Sequence, residues 1–231
     1  LNNNIINYDQ AIQNIDRLMP SWITAEQLAP MQRAMINGKI TFGSFSNYVI
    51  GLNSLAPINT EYHEMFHAVF RTMLDNSQQD TIYTEGKELL RKFLGDKSFV
   101  QGRNEFRKLY SEQTKNLSNE QIDQLYIEEF LAEQFKEWIG DKSNSFIAKE
   151  FSKKKSLIQN IIDFFKNLVN FNKWFKENTD IHNLFYGIEQ GKFREAEKQM
   201  NRFNDFLQVP ALSQIFVETL NIEGNLIDKY L

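Results

Sequence analysis

Residues His63-Glu64-Met65-Phe66-His67 form the pattern His-Glu-x-x-His. Two histidines at i and i+4 of a helix lie one turn apart on the same face, so both imidazoles can reach one ion at about 2.0–2.1 Å. Glu64 projects about a quarter turn away. From there it is badly placed to ligate that ion but well placed to take a proton from a water beside it. Tyr62, Met65, Phe66, Ala68, Val69, Phe70, Met73 and Leu74 make the helix apolar nearly all round, which predicts burial. Two histidines and a glutamate in a dry setting are costly unless each is satisfied, and a metal ion satisfies them together. The alternative is a pair of core histidines bonded to backbone carbonyls.

A hydrolytic zinc needs a third protein ligand and an open position. The best donor lies in Ile127-Glu128-Glu129-Phe130-Leu131-Ala132-Glu133, on a helix opened by Ser118 with Gln121 three residues on. Glu129 shares its face with Ile122, Leu125, Tyr126 and Ala132 and is expected to point inward. Glu128 shares its face with Gln121 and Gln124, which reads as a solvated stripe. Glu133, one turn beyond Glu129, is placed to accept the outer ring N–H of a ligating histidine and fix its tautomer. A surface charge cluster is the competing reading. His182 is the one remaining histidine and the alternative third ligand. Either His182 or Tyr186 could also donate to the developing oxyanion of a hydrolysis, against the plainer reading of an exposed histidine at a helix end.

His63-Glu64-x-x-His67 followed by a helix with Glu129-x-x-x-Glu133 resembles the gluzincin metallopeptidases over about residues 39 to 139. That resemblance implies zinc as cofactor, His63, His67 and Glu129 as its ligands, Glu133 as a brace for a ligand histidine, Glu64 as general base, and a peptide or protein substrate. It further implies that substrate lies as an added strand along a sheet edge, with the segment Tyr48 to Leu52 as the dock. Two features depart from the family. The brace is glutamate where aspartate is usual, and the helices of about residues 78 to 114 stand between the motifs as an insertion. Met65-Phe66 and the strand run before the motif also resemble zincin-like domains embedded in large multidomain phage proteins that enter the host with the DNA.

The elements that position these residues are mostly helical. With 10 glycines and 4 prolines in 231 residues, long segments keep apolar residues at helical spacing. Helices are expected at 8–19, at 25–37 (opened by Thr24 with Gln27, closed by Gly38), and at about 61–74, 78–94, 98–114, 119–139 and 143–177, the last broken somewhere inside. A further helical part is expected from 192 to 231, interrupted at Pro210 and Gly224. Lys39 to Asn53 reads as a small hairpin or strand pair. The expected fold is therefore mainly α (α+β), zincin-like, with a small sheet beside the active-site helix and a helical lower lobe. Residues 1–190 would form the metallopeptidase domain and 191–231 a helical extension.

Composition narrows the partners. A net charge of −4 gives no global field toward nucleic acid or anionic membranes, and no nucleic-acid partner is expected. Without cysteine, any metal must be held by imidazole and carboxylate. No run approaches the roughly 18 apolar residues of a spanning helix, and none resembles a signal peptide. A soluble chain is expected, cytoplasmic or carried in a virion. The basic and aromatic stripe from Phe151 to Phe175, with Lys153-Lys154-Lys155 and Trp174, reads as core packing before a membrane-surface helix. The chain opens at Leu1, which reads as a piece of a longer polypeptide. The expected function is zinc-dependent peptide hydrolysis. The alternatives are hydrolysis of another amide bond and a non-catalytic structural or cargo module of a larger, virion-borne protein.

Overall fold

The apolar run around the histidine pair folds as helix α2 (Thr60–Thr72), in which every residue except Tyr62 is buried. Such a helix needs neighbours on all sides. The computed structural model describes residues 5–28, 35–36, 39–40, 42–95, 98–153, 175–199 and 211–212, and they form a mainly helical protein with a small mixed sheet.

Helix α1 (Tyr8–Leu18), capped by Asn7, packs Ala11, Ile15 and Leu18 inward and lies against α2. There the Asn14 amide donates to the buried Glu61 carboxylate, 3.1 Å away. The chain then forms β1 (Thr24–Gln27), β2 (Met35–Ile36) and β3 (Lys39–Ile40), followed by β4 (Gly43–Ser46) and β5 (Val49–Leu52). The hairpin expected before α2 is present as β4–β5. Its two-residue turn, Asn47 and Tyr48, has φ of 50° and 66°, the left-handed pair that matches strand twist.

The helix expected over 25–37 does not form. Thr24–Gln27 instead runs parallel to β5, Thr24 opposite Val49 and Gln27 opposite Leu52. Pro30 would have fallen inside that helix, at a cost of about 3 kcal/mol, and the edge of β5 offers the same backbone groups a ladder. Met35–Ile36 and Lys39–Ile40 pair antiparallel on either side of Asn37-Gly38, a hairpin dipeptide. The main sheet has the order β1-β5-β4-β6, where β6 is Ala211–Leu212.

After α2 come α3 (Asn76–Leu94), α4 (Phe99–Leu109), the short α5 (Ser111–Thr114), α6 (Asn119–Gly140), α7 (Phe146–Lys153) and α8 (Ile181–Glu189). Helices α3, α4 and α6 each open with a reciprocal capping box, Asp75/Gln78, Ser98/Gln101 and Ser118/Gln121. The helix expected at 98–114 is divided at Tyr110 (φ −109°, ψ 39°). Of the helix expected over 143–177, residues 154–174, including Trp174 and most of the basic stripe, lie outside the described residues, while Phe151 and Phe175 at its ends are buried. Helix α8 was not foreseen, though Asp180 caps it and Ile181, Leu184, Phe185 and Ile188 line its inner face. Of the helical part expected from 192 to 231, residues 192–199 are turn and irregular chain after Gly191 (φ +64°), Ala211–Leu212 is strand, and the rest, with Pro210 and Gly224, lies outside the described residues. Residues 192–199 fold back on the body: Trp22 Nε1–H donates to Ala196 O, and Gln199 N–H donates to Thr72 O.

The core gathers on α2. Phe66 stacks on Phe70 at 5.7 Å and meets Phe185 of α8 edge-on at 5.9 Å. Phe135 of α6 stands 5.0 Å from the same Phe185. Helix α6 packs along α2, and α3 packs on α6 at Gly86, where an added β-carbon would stand 2.8 Å from Ile127 Cγ2 and 2.9 Å from Leu131 Cδ1. Gly86→Ala should therefore destabilise the chain by about 1–3 kcal/mol through overpacking, against the roughly 1 kcal/mol that alanine ordinarily gains over glycine in a helix. Denaturant melts decide the sign, and a stabilised variant would mean that α3 and α6 are not in close contact.

Candidate metal centre

Helices α2 and α6 bring the motif residues together. Successive turns of α2 present His63, His67 and Arg71 to α6, which answers with Glu128, Glu129 and Glu133. His63 Nε2 lies 3.1 Å from His67 Nε2, and the Glu129 carboxylate oxygens lie 3.4 Å from the first and 3.6 Å from the second. Three ligands held at about 2.0–2.1 Å by a tetrahedral ion stand about 3.3 Å apart. The two imidazole nitrogens stand close to that separation, and the carboxylate turns a different oxygen to each, Oε2 to His63 and Oε1 to His67. Among the described residues His63, His67 and Glu129 form a buried group able to hold a metal ion.

The outer ring nitrogens give the same message. His67 Nδ1–H donates to Glu128 Oε1 at 2.6 Å, which leaves its Nε2 as a lone pair. Glu133 Oε2 faces His63 Nδ1 at 3.4 Å, long for a hydrogen bond but close enough for its charge to favour a proton there. The other Glu133 oxygen is held by Lys136 at 2.7 Å. Two imidazole lone pairs and a carboxylate then converge in a place where all three residues are buried. Such an arrangement is repulsive unless a cation stands among the three. When that cation is a proton, burial alone would lower the His63 pKa. Hydrogen bonding to Glu129 and Glu133 and the charge of Glu64 carry it instead from 6.5 to about 10. Burial would raise the Glu129 pKa, but the two histidines hold it well below the ordinary carboxylate range.

Glu128 corrects an expectation. It is fully buried, not part of a solvated stripe. Besides His67 it binds Arg71, whose Nε–H donates to Oε1 at 2.6 Å and whose second terminal nitrogen donates to Oε2 at 3.2 Å. Arg71 is itself buried. The row His67–Glu128–Arg71 thus fixes one ligand ring, and sequence reasoning missed the parts of Glu128 and Arg71 in it. The available signal was Arg71 itself, one turn after His67 on an apolar helix, which demanded an inward carboxylate.

Glu64 is fully buried beside β4: a β-carbon added to Gly43 would stand 2.5 Å from its Oε1. His182 and Tyr186 lie on α8. His182 is buried against Phe151 (ring centroids 4.8 Å, edge-on) and stacks near Tyr186 at 6.3 Å, so it is not the exposed helix-end residue of the plainer expectation. The group of three closes with Glu129 and does not include His182. Comparison of the chain with protein-family models, with curated proteins and with solved structures gives no match.

Two outcomes follow from this electrostatic arrangement. A group whose pKa is raised on folding contributes stability below its unfolded value and loses it as pH rises through the folded value. The metal-free chain should therefore lose stability between pH 6.5 and about 10 as His63 gives up its proton, while a metal-loaded chain should not. Thermal melts with and without chelator across that range measure the difference, and identical pH dependence would show that no ion replaces the proton. Glu128→Ala should cost about 3–5 kcal/mol by stranding Arg71 and weaken metal binding by about 10–100-fold. A loss within about 0.5 kcal/mol, as for an exposed site, would contradict its burial.

Proposed function

We propose that this chain is a zinc-dependent peptide hydrolase with a gluzincin-type centre. The observation that carries the reading is the triangle of His63 Nε2, His67 Nε2 and the Glu129 carboxylate. The imidazole nitrogens stand 3.1 Å apart, and Glu129 sets Oε2 3.4 Å from the first and Oε1 3.6 Å from the second, a spacing that one ion can bridge. The donor set, two imidazoles and one carboxylate, is that of catalytic rather than structural zinc, and it leaves a coordination position open. The zincin-like resemblance of the motif, the sheet beside α2 and the two-helix ligand arrangement point the same way.

His63, His67 and Glu129 would hold the zinc, which when bound supplies Lewis acidity toward water and the scissile carbonyl. Glu64 is the general base. It accepts a proton from the attacking water and returns it to the amine that leaves as the C–N bond breaks. A structural site has no use for a carboxylate at that position. Glu128 and Glu133 orient the ligand rings and keep their protons on Nδ1. Arg71 and Lys136 neutralise those two braces.

The test compares wild type, Glu64→Gln and Glu129→Ala for zinc content, thermal stability and cleavage of a broad peptide library. Glu129→Ala should lose most of its zinc. Glu64→Gln keeps shape and metal, and its cleavage should fall by about 10²–10⁴-fold. Undiminished cleavage by zinc-loaded Glu64→Gln would remove Glu64 from the chemistry. A zinc-loaded wild type that cleaves nothing, even once its site is opened, would favour the non-catalytic module.

A further inference from the structure

A peptide hydrolase must admit an extended segment to its general base, yet Glu64 and His67 are 0% exposed and His63 is 1% exposed. The backbone that crowds Glu64 belongs to β4, at Gly43. The dock expected at Tyr48 to Leu52 is not available for strand addition: β5 is an inner strand, with β1 on one side and β4 on the other. The sheet edge beside the metal centre is the outer edge of β4, and it already carries a strand. Ala211–Leu212 pairs there antiparallel, Ala211 opposite Phe45 and Leu212 opposite Ser44.

Strand alternation identifies the groups involved. In a hairpin with a two-residue turn, Ser46 and Val49 form the closing hydrogen-bonded pair, so Ser46 and Ser44 bond to β5. Asn53 N–H donating to Phe42 O at 2.9 Å keeps that parity. Phe45 and Gly43 then direct their N–H and C=O groups to the outer edge. A peptide bound through Phe45 and Gly43 would lie along the strand that packs on Glu64, and the pairing with Ala211 takes the first of those two positions.

We propose that the segment at Ala211–Leu212 occupies the substrate edge of β4 in cis and holds the enzyme latent. This rests on the peptidase reading above, in which substrate lies along a sheet edge. The segment is tethered to the body through Gln199, whose N–H is bonded at the end of α2. A tether of this kind gives the cis strand an effective concentration in the millimolar range. A free peptide must displace it, so the block acts on apparent affinity.

The test is the full chain carrying Ala211→Pro, which removes the N–H that bonds to Phe45 O and places a ring against β4. Amide exchange at Phe45 should accelerate by at least about fivefold, the equivalent of one hydrogen bond. The KM for library peptides should fall by a similar factor, with kcat and zinc content unchanged. A synthetic peptide spanning residues 208–215, added to the variant, should slow exchange again and compete with substrate. Unchanged Phe45 exchange in the variant overturns the docking. Faster exchange with an unchanged KM overturns the latency, as does self-cleavage of intact wild type within residues 209–214. If wild type and variant both hold zinc and neither cleaves, the peptidase reading fails, and the exchange result alone still decides whether the strand docks.

Discussion

Three lone-pair donors, two imidazoles and a carboxylate, meet at the interface of α2 and α6 in a region closed to water. Each donor is costly to bury, and together they repel. The interface is stable when positive charge stands among them, and much else in the protein keeps that demand local and fixed. Glu128 and Glu133 hold protons on the far sides of the rings. Arg71 and Lys136 then neutralise these two carboxylates, so that the charge left for a cation to meet is that of Glu129 and, beside it, Glu64.

This layering explains why α6 has so little apolar character for a buried helix. Residues Ile127 through Phe135 are all buried, and three of the nine are glutamates. The helix is stabilised by apolar contact with α3 at Gly86, α4 at Phe106 and α2 at Phe135, while Glu128, Glu129 and Glu133 make ionic contacts to α2. Buried ion pairs add little net stability compared with apolar packing. Their contribution here is geometric: the Arg71 fork and the His67 ring fix the Glu128 carboxylate from two directions, and the register of α2 on α6 follows from that.

The sheet plays the complementary part. Among the described residues it contributes no donor to the candidate metal group, but β4 packs on the side of α2 on which Glu64 lies, with glycine where a side chain would strike the carboxylate. The outer edge of that strand pairs with residues drawn from far along the sequence, Ala211 and Leu212.

Local features were legible in the sequence. The i and i+4 spacing of His63 and His67, the offset of Glu64, the capping box of α6 and the strand character before α2 all depend on a few neighbouring residues, whose spacing and φ/ψ preferences are set within a turn. The inward face of Glu129 and the position of Glu133 were also legible, because Ile122, Leu125 and Ala132 mark that face. The tertiary structure decided the rest. Glu128 was misread because a stripe of polar residues reveals the outer face only when a helix has one, and the middle of α6 is enclosed. Thr24–Gln27 carries a capping pattern but became a strand because the edge of β5, distant in sequence, satisfies its backbone groups. The pairing of Ala211–Leu212 with β4 likewise depends on a partner more than 160 positions away, and no local pattern of residues encodes which edge a two-residue strand will meet.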